Sequence, residues 1–252
     1  MDHELAQIIA QLADEARLSV RAEIPGFLAL RKITSLFHFT SVHNLESLVT
    51  EGFLGRDSLK QKNIPYVASD NHRIEPLIDG ICFSLSRPNI YMAAQKIQNG
   101  GELVLLELSD LAQILTNYNF VASPGNFGSP LLKNKIQNNP EEFIGSEGLL
   151  NLFQEQKIRD KFLVPEFEPT DPQAEIIILE SLPWNYVQRI YFPDTTDYSI
   201  SEKIRKIVRI LPKGIVLQSQ IKKVFPAIDW RNPSVVKEYR ERKWSENWTH
   251  SQ

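Results

Sequence analysis

Apolar residues recur at near-helical spacing over residues 4–20, ELAQIIAQLADEARLSV, where Leu5, Ile8, Ile9, Leu12, Ala16 and Leu18 predict an amphipathic N-terminal helix. The period then shortens. LFHFTS alternates bulky and polar positions as a strand does, before Asn44, Leu45, Leu48 and Val49 restore a helical period and Gly52 stands where a helix C-cap belongs. Residues 60–80 are polar and broken by Pro65, Pro76 and Gly80, so they read as connection. GICFSLS reads as a strand stopped by Pro88 and passing into a helix near Tyr91 to Ile97, and ELVLLEL as a strand apolar enough to be buried on both faces. From Phe120 to Pro172 polar loops are predicted, with one helix around Gly148 to Lys157; so long an irregular stretch in a compact domain points to function. AEIIILE and VQRIYFP are further strands, 201–210 a helix, GIVLQ a short strand and 233–246 a terminal helix. With no repeat and no regular βαβ alternation, the order is α+β.

Composition bounds this picture without changing it. The 252 residues are 42% hydrophobic and 23% charged, as in an ordinary globular protein. No apolar run approaches the roughly 18 to 20 residues of a membrane helix, and MDHELAQIIA is acidic before its apolar residues, so neither secretion nor membrane insertion is expected. Cys82 is the single cysteine, which excludes an intramolecular disulfide and a cysteine-rich zinc site and fits a reducing, cytoplasmic setting. Charge does alter the picture. Residues 1–180 carry 15 Lys and Arg against 24 Asp and Glu, a net −9, whereas 181–252 carry 13 against 7, a net +6. A basic final third, with Lys222 and Lys223 within it, is either a nucleic-acid face or a set of solvated helix faces.

Candidate chemistry is sparse. His38, His43 and His72 belong to no H-E-x-x-H or Cys/His spacing, so no metal site is expected. Neither a G-x-G-x-x-G run, a P-loop nor a G-x-S-x-G elbow occurs. Four patches remain: FHFTSVHNL, ASDNHR, ICFSLSRPNIYM and DPQAEIIIL. Taken singly, His38 reads as a core histidine, Arg73 as a surface ion-pair partner, Tyr91 and Met92 as core filler, and Glu175 as a strand-edge charge.

Their order and spacing resemble the DarT family, the DNA-targeting ADP-ribosyltransferase toxins. In that family a strand ending in His-x-Thr leads into Asn-Leu and a short helix closed by glycine, here His38, Thr40, Asn44, Leu45 and Gly52. A connecting segment supplies an arginine, matched by Arg73 in SDNHRIEP, with Arg56 and Arg87 as alternatives. A strand runs into a PNYKM-like element, here Ser84 and then SRPNIYM with Tyr91, one residue longer; a Gln-Ala-Glu strand provides Glu175. The likeness spans residues 34–195.

The resemblance implies a single ADP-ribosyltransferase-like domain over 1–252, with mixed and antiparallel strands and peripheral helices. Residues 1–33 would be a helical extension, 34–195 the catalytic core and 196–252 a basic C-terminal region. It implies NAD as co-substrate and no metal, with Glu175 and Arg73 catalytic and His38, Thr40, Asn44, Leu45, Gly52, Arg73, Ser84 and Tyr91 around NAD. Asn117, Tyr118, Asn126, Phe127, Lys133 and Lys135 would contact the acceptor, by stacking, amide and phosphate contacts. That acceptor would be a thymine or guanine base of single-stranded DNA, unstacked for reaction. A macrodomain antitoxin of the DarG type and a toxin–antitoxin or phage-defence setting are implied likewise. Transfer to RNA or protein, and an inert nucleic-acid-binding module, are the alternatives.

Overall fold

The computed structural model describes residues 7–9, 11–12, 23–68, 79–89, 92–93, 96, 102–162, 164–192, 198–211 and 215–219. The run LVLLEL, Leu103–Leu108 (β3), is buried at every position and takes an interior place in the sheet, as its apolar composition predicts. It pairs along six residues with β1 (Leu36–Ser41) and, on its other side, with β6 (Val187–Phe192). β2 (Ile81–Leu85), β4 (Phe120–Ser123), β5 (Glu175–Ile178) and β7 (Val216–Ser219) complete a sheet of order β4-β5-β2-β1-β3-β6-β7. The pairings are antiparallel except β6 with β7, which is parallel. The basic C-terminal region thus supplies an edge strand of the same sheet.

Alternation along the strands sorts side chains to two faces. Leu36, Phe83, Leu106, Ile176 and Ile190 enter the larger apolar cluster, which α1 (Glu23–Leu30), α2 (Leu45–Glu51) and α4 (Leu111–Asn117) help to cover. Val121 and Ile177, on the opposite face, join Phe127, Ile136, Phe143 and Ile144 in a second cluster. A third short helix, α3 (Arg56–Gln61), lies between β1 and β2 in sequence.

The stretch from Phe120 to Pro172 is more helical than its polar composition predicts. After β4 come α5 (Pro130–Asn138), a 3-10 turn (Pro140–Phe143), α6 (Gly145–Asn151) and α7 (Gln156–Phe162). Ser129 caps α5 by accepting the Leu132 N–H, with Pro130 at the first helical position. The single helix predicted around Gly148 to Lys157 is split in two, and Glu155, at φ 65°, lies between the halves. Helix α8 (Tyr198–Ile210) matches the predicted 201–210, and Lys203 on it donates to His43 Nδ1 at 2.8 Å. Of the predicted N-terminal helix, 7–9 and 11–12 are helical, as are 92–93 and 96 of the helix near Tyr91; the rest of both, and the helix at 233–246 with Lys222 and Lys223, lie outside the described residues.

On β3, Glu107 gathers four donors. Ser35 and the Gln188 amide reach Oε1 at 3.0 Å, while Arg189 at 2.8 Å and the Tyr191 hydroxyl at 2.7 Å reach Oε2. Burial, and then the bond to Glu107, push the Tyr191 phenol up to about 12. The fold therefore prefers the protonated phenol. That preference is fully present below the ordinary value of 10.0 and is lost as pH rises through about 12. Tyr191→Phe is expected to flatten the fall in stability over that interval, as denaturant titration at several alkaline pH values would measure.

Candidate active site

The site arises where the sheet comes apart. β1 is paired with β3 along its whole length but with β2 only through Leu36↔Leu85 and Phe37↔Ser84. At the next position the His38 ring takes over, its Nδ1 lying 2.8 Å from the Cys82 carbonyl. A carbonyl only accepts, so Nδ1 carries a proton. The ring is held edge-on to Phe53 at 5.4 Å and tilted against Phe83 at 5.3 Å. Phe53 in turn stacks on Trp184 at 6.3 Å and is fixed by backbone bonds to Leu182. Gly52 makes this approach possible. It closes α2 at φ 78°, and a Cβ there would lie 2.7 Å from the Leu182 carbonyl oxygen.

Beyond this point the parted strands bound a cleft of about 190 Å³, whose walls include His38, Thr40, Asn44, Arg56, Ser84 and Glu175. Glu175 is the first residue of β5, opposite Ser123 of β4, and is only 4% exposed. Its Oε2 accepts the Phe127 N–H at 3.1 Å. The Phe127 ring is wholly buried in the second cluster. The ring therefore anchors the turn at 124–128, and the turn aims the carboxylate. Asn126 tightens the same turn by accepting the Gly128 N–H at 2.9 Å.

Arg56 enters the cleft from the start of α3. Asp79 fixes that turn, accepting the backbone N–H groups of Asp57 and Ser58 and the Ser58 hydroxyl. Gly55 is required beside it, because a Cβ would lie 2.0 Å from Asp79 Oδ1. Arg87 is engaged elsewhere. Its guanidinium meets Glu168 at 2.9 Å with both side chains buried. Burial raises the Glu168 carboxyl even though the Arg87 charge opposes it.

The other predicted site residues fall as follows. The Leu45 side chain is fully buried in the larger cluster. Ser84 lines the cleft and accepts the Asn89 N–H at 3.0 Å. Asn117 and Tyr118 precede β4 at the end that faces Ile178, the far end from Glu175, and Tyr118 packs edge-on to Tyr186 at 6.1 Å. Phe127 offers no open ring for stacking; it contributes its N–H. Lys133 and Lys135 lie on α5, after the turn that holds Glu175. Arg73 and Tyr91 lie outside the described residues. Sequence reasoning missed Asp79, Phe53 and the Phe127 N–H. The spacing of Gly52 and Gly55 around Phe53 was the one available signal, since paired glycines mark close backbone approach. Among the described residues no three His, Cys, Asp or Glu side chains group as metal ligands, and no helix is long and apolar enough to cross a membrane.

A family model described as DarT, ssDNA thymidine ADP-ribosyltransferase, matches residues 37–225, well over half of the chain and further toward the C-terminus than the motifs alone reach. No curated protein matches. Among solved structures, Thermus sp. 2.9 DarT in complex with NAD+ is similar at 19% identity and a TM-score of 0.50, covering 79% of this chain and 98% of that one. That likeness shows the shared fold. Thermus sp. 2.9 DarT in complex with ADP-ribosylated ssDNA matches at 18% identity, 79% and 96% coverage and a TM-score of 0.48. Thermosipho africanus DarTG in complex with ADP-ribose matches at 14%, with 73% and 49% coverage and a TM-score of 0.43.

Proposed function

Because the chain belongs to the DarT family of ssDNA thymidine ADP-ribosyltransferases, we propose that NAD occupies the cleft between β1 and β2 and that Glu175 is its catalytic carboxylate. The protein is an NAD-dependent ADP-ribosyltransferase acting on single-stranded DNA. The observation that carries the assignment of roles is a buried carboxylate, aimed by a backbone N–H, in the wall of the cleft that holds His38.

The donor set suits NAD. The His38 imidazole, hydroxyls at Thr40 and Ser84 and the Arg56 guanidinium match the hydroxyls, amide and diphosphate of that molecule. NAD supplies the ADP-ribosyl group, and positive charge develops on the ribose as the bond to nicotinamide breaks. Glu175, fixed by the Phe127 N–H, faces that charge without needing to reorient, which is where a preorganised carboxylate lowers a barrier most. His38 holds the cofactor; its tautomer is set by the Cys82 carbonyl. Arg56 is the cleft arginine favoured for the diphosphate, and Arg87, committed to Glu168, is not a candidate. The turn at 124–128 and α5 behind it form the acceptor side, with Asn126, Lys133 and Lys135 available to DNA.

On this reading His38→Ala raises the Kd for NAD by about tenfold, the loss of roughly one hydrogen bond and its packing. Calorimetric titration checks it, and an unchanged Kd would remove His38 from the cofactor. We further propose a DarG-type macrodomain antitoxin as a partner, from family membership, because a toxin that modifies DNA needs restraint. Labelled NAD incubated with separate pools of single-stranded DNA, duplex DNA, RNA and protein tests the whole reading. Label on thymine of single-stranded DNA is expected. Label on RNA or protein alone would overturn the substrate, and no release of nicotinamide would overturn the enzyme.

A further inference from the structure

Residues 64–68 run along one wall of the cleft, where Tyr66, Val67 and Ala68 line it and Val67 is 49% exposed. They belong to no strand, yet their backbone groups still require partners. Both groups of Val67 are taken by one side chain. Its N–H donates to Asn44 Oδ1 at 2.7 Å, and its carbonyl accepts from Asn44 Nδ2 at 2.9 Å. The same Nδ2 also reaches Thr40 Oγ1 at 3.1 Å. The amide thereby reproduces the paired bonds by which opposite residues exchange N–H and carbonyl in an antiparallel ladder. Only Asn and Gln carry a neutral donor and acceptor side by side. Asn44 ends the 3-10 turn Val42–Asn44 that follows β1, the strand that carries His38 and Thr40.

We infer that Asn44 is a positioning residue that ties the 66–68 strap to the end of β1 and so fixes the width of the cofactor cleft, acting on NAD through the strap instead of by direct contact. The inference rests on the NAD reading of the cleft. Its consequence is that the strap moves with β1, the strand that carries His38.

The test is amide hydrogen exchange at Val67 in the protein without NAD, together with steady-state kinetics of the same variants. Asn44→Ala should release the Val67 amide to exchange at least tenfold faster while amides in β3 are unchanged. It should raise the KM for NAD by about tenfold with kcat within about threefold, the split expected when uniform binding is lost. Asn44→Asp keeps the acceptor for the Val67 N–H and loses both donors, so exchange at Val67 should quicken by less than in the alanine variant and the KM should rise in step with it; this variant decides the matter if the alanine variant does not fold. Unchanged Val67 exchange with a raised KM would make Asn44 a direct ligand and overturn the tether. Fast Val67 exchange with an unchanged KM would overturn its link to the cofactor. If the wild-type protein bound no NAD, the function would fail instead, and the exchange result would still score the tether.

Discussion

Glu175→Gln is expected to reduce ADP-ribosyl transfer by roughly 10²- to 10³-fold, the scale seen when one preorganised electrostatic contact to a transition state is removed. NAD affinity should change by less than about threefold, because the carboxylate acts on charge that develops only during reaction. Glutamine is the informative replacement. Its carbonyl oxygen can still accept the Phe127 N–H that Oε2 accepts now, so the turn at 124–128 keeps its anchor and the loss is one of charge. Single-turnover transfer of labelled ADP-ribose, set beside calorimetric NAD binding, separates the two quantities. Transfer near the wild-type rate would end the assignment of Glu175. Equal loss of transfer and of binding would make it a cofactor-holding group.

Arg87→Met is expected to cost about 3 to 5 kcal/mol of folding stability, the range found when one partner of a buried ion pair is removed. Arg87 and Glu168 are 5% and 2% exposed, and Glu168 is already raised by burial with its partner in place. Without the guanidinium the buried carboxylate would keep only the weaker opposition of the Arg159 charge and would favour the protonated form further. A folded-state value raised in this way adds stability below the ordinary carboxylate range and withdraws it as pH rises through the folded value, so the deficit of the variant should shrink on acidification. Replacing both residues, Arg87→Met with Glu168→Leu, should recover much of the loss, since a well-packed apolar pair often substitutes for a buried ionic one. Denaturant unfolding at two pH values measures each of these. The KM for NAD in the folded fraction should not move. A selective rise in KM with stability intact would return Arg87 to the cofactor.

The half of the site that depends on local pattern was legible in the sequence. His38 and Thr40 sit where alternation predicts a strand, and Gly52 closes the following helix as its position predicts. The Gln-Ala-Glu run put Glu175 at the start of a buried strand, as it is. What could not be read is what comes from distance in the chain. The turn that aims Glu175 lies 48 residues before it, and the partner of Arg87 lies 81 residues away. Residue type misled at Phe127, whose ring suggests base stacking but is consumed by packing, leaving the backbone N–H to act. Leu45, inside the same motif as His38 and Thr40, packs its side chain into the larger cluster. The helix α5 was a different kind of miss, because Ser129 followed by Pro130 is a readable cap that polar composition obscured.

The two rungs that join β1 to β2 divide the sheet into two cooperating units. One, β1-β3-β6-β7, carries His38; the other, β4-β5-β2, carries Glu175, with the turn at 124–128 following β4. Register errors and side-chain exchanges in one unit do not propagate along a continuous ladder into the other. The cleft therefore has His38 on one unit and Glu175 on the other, so a small change of angle at those two rungs alters its width without breaking either ladder.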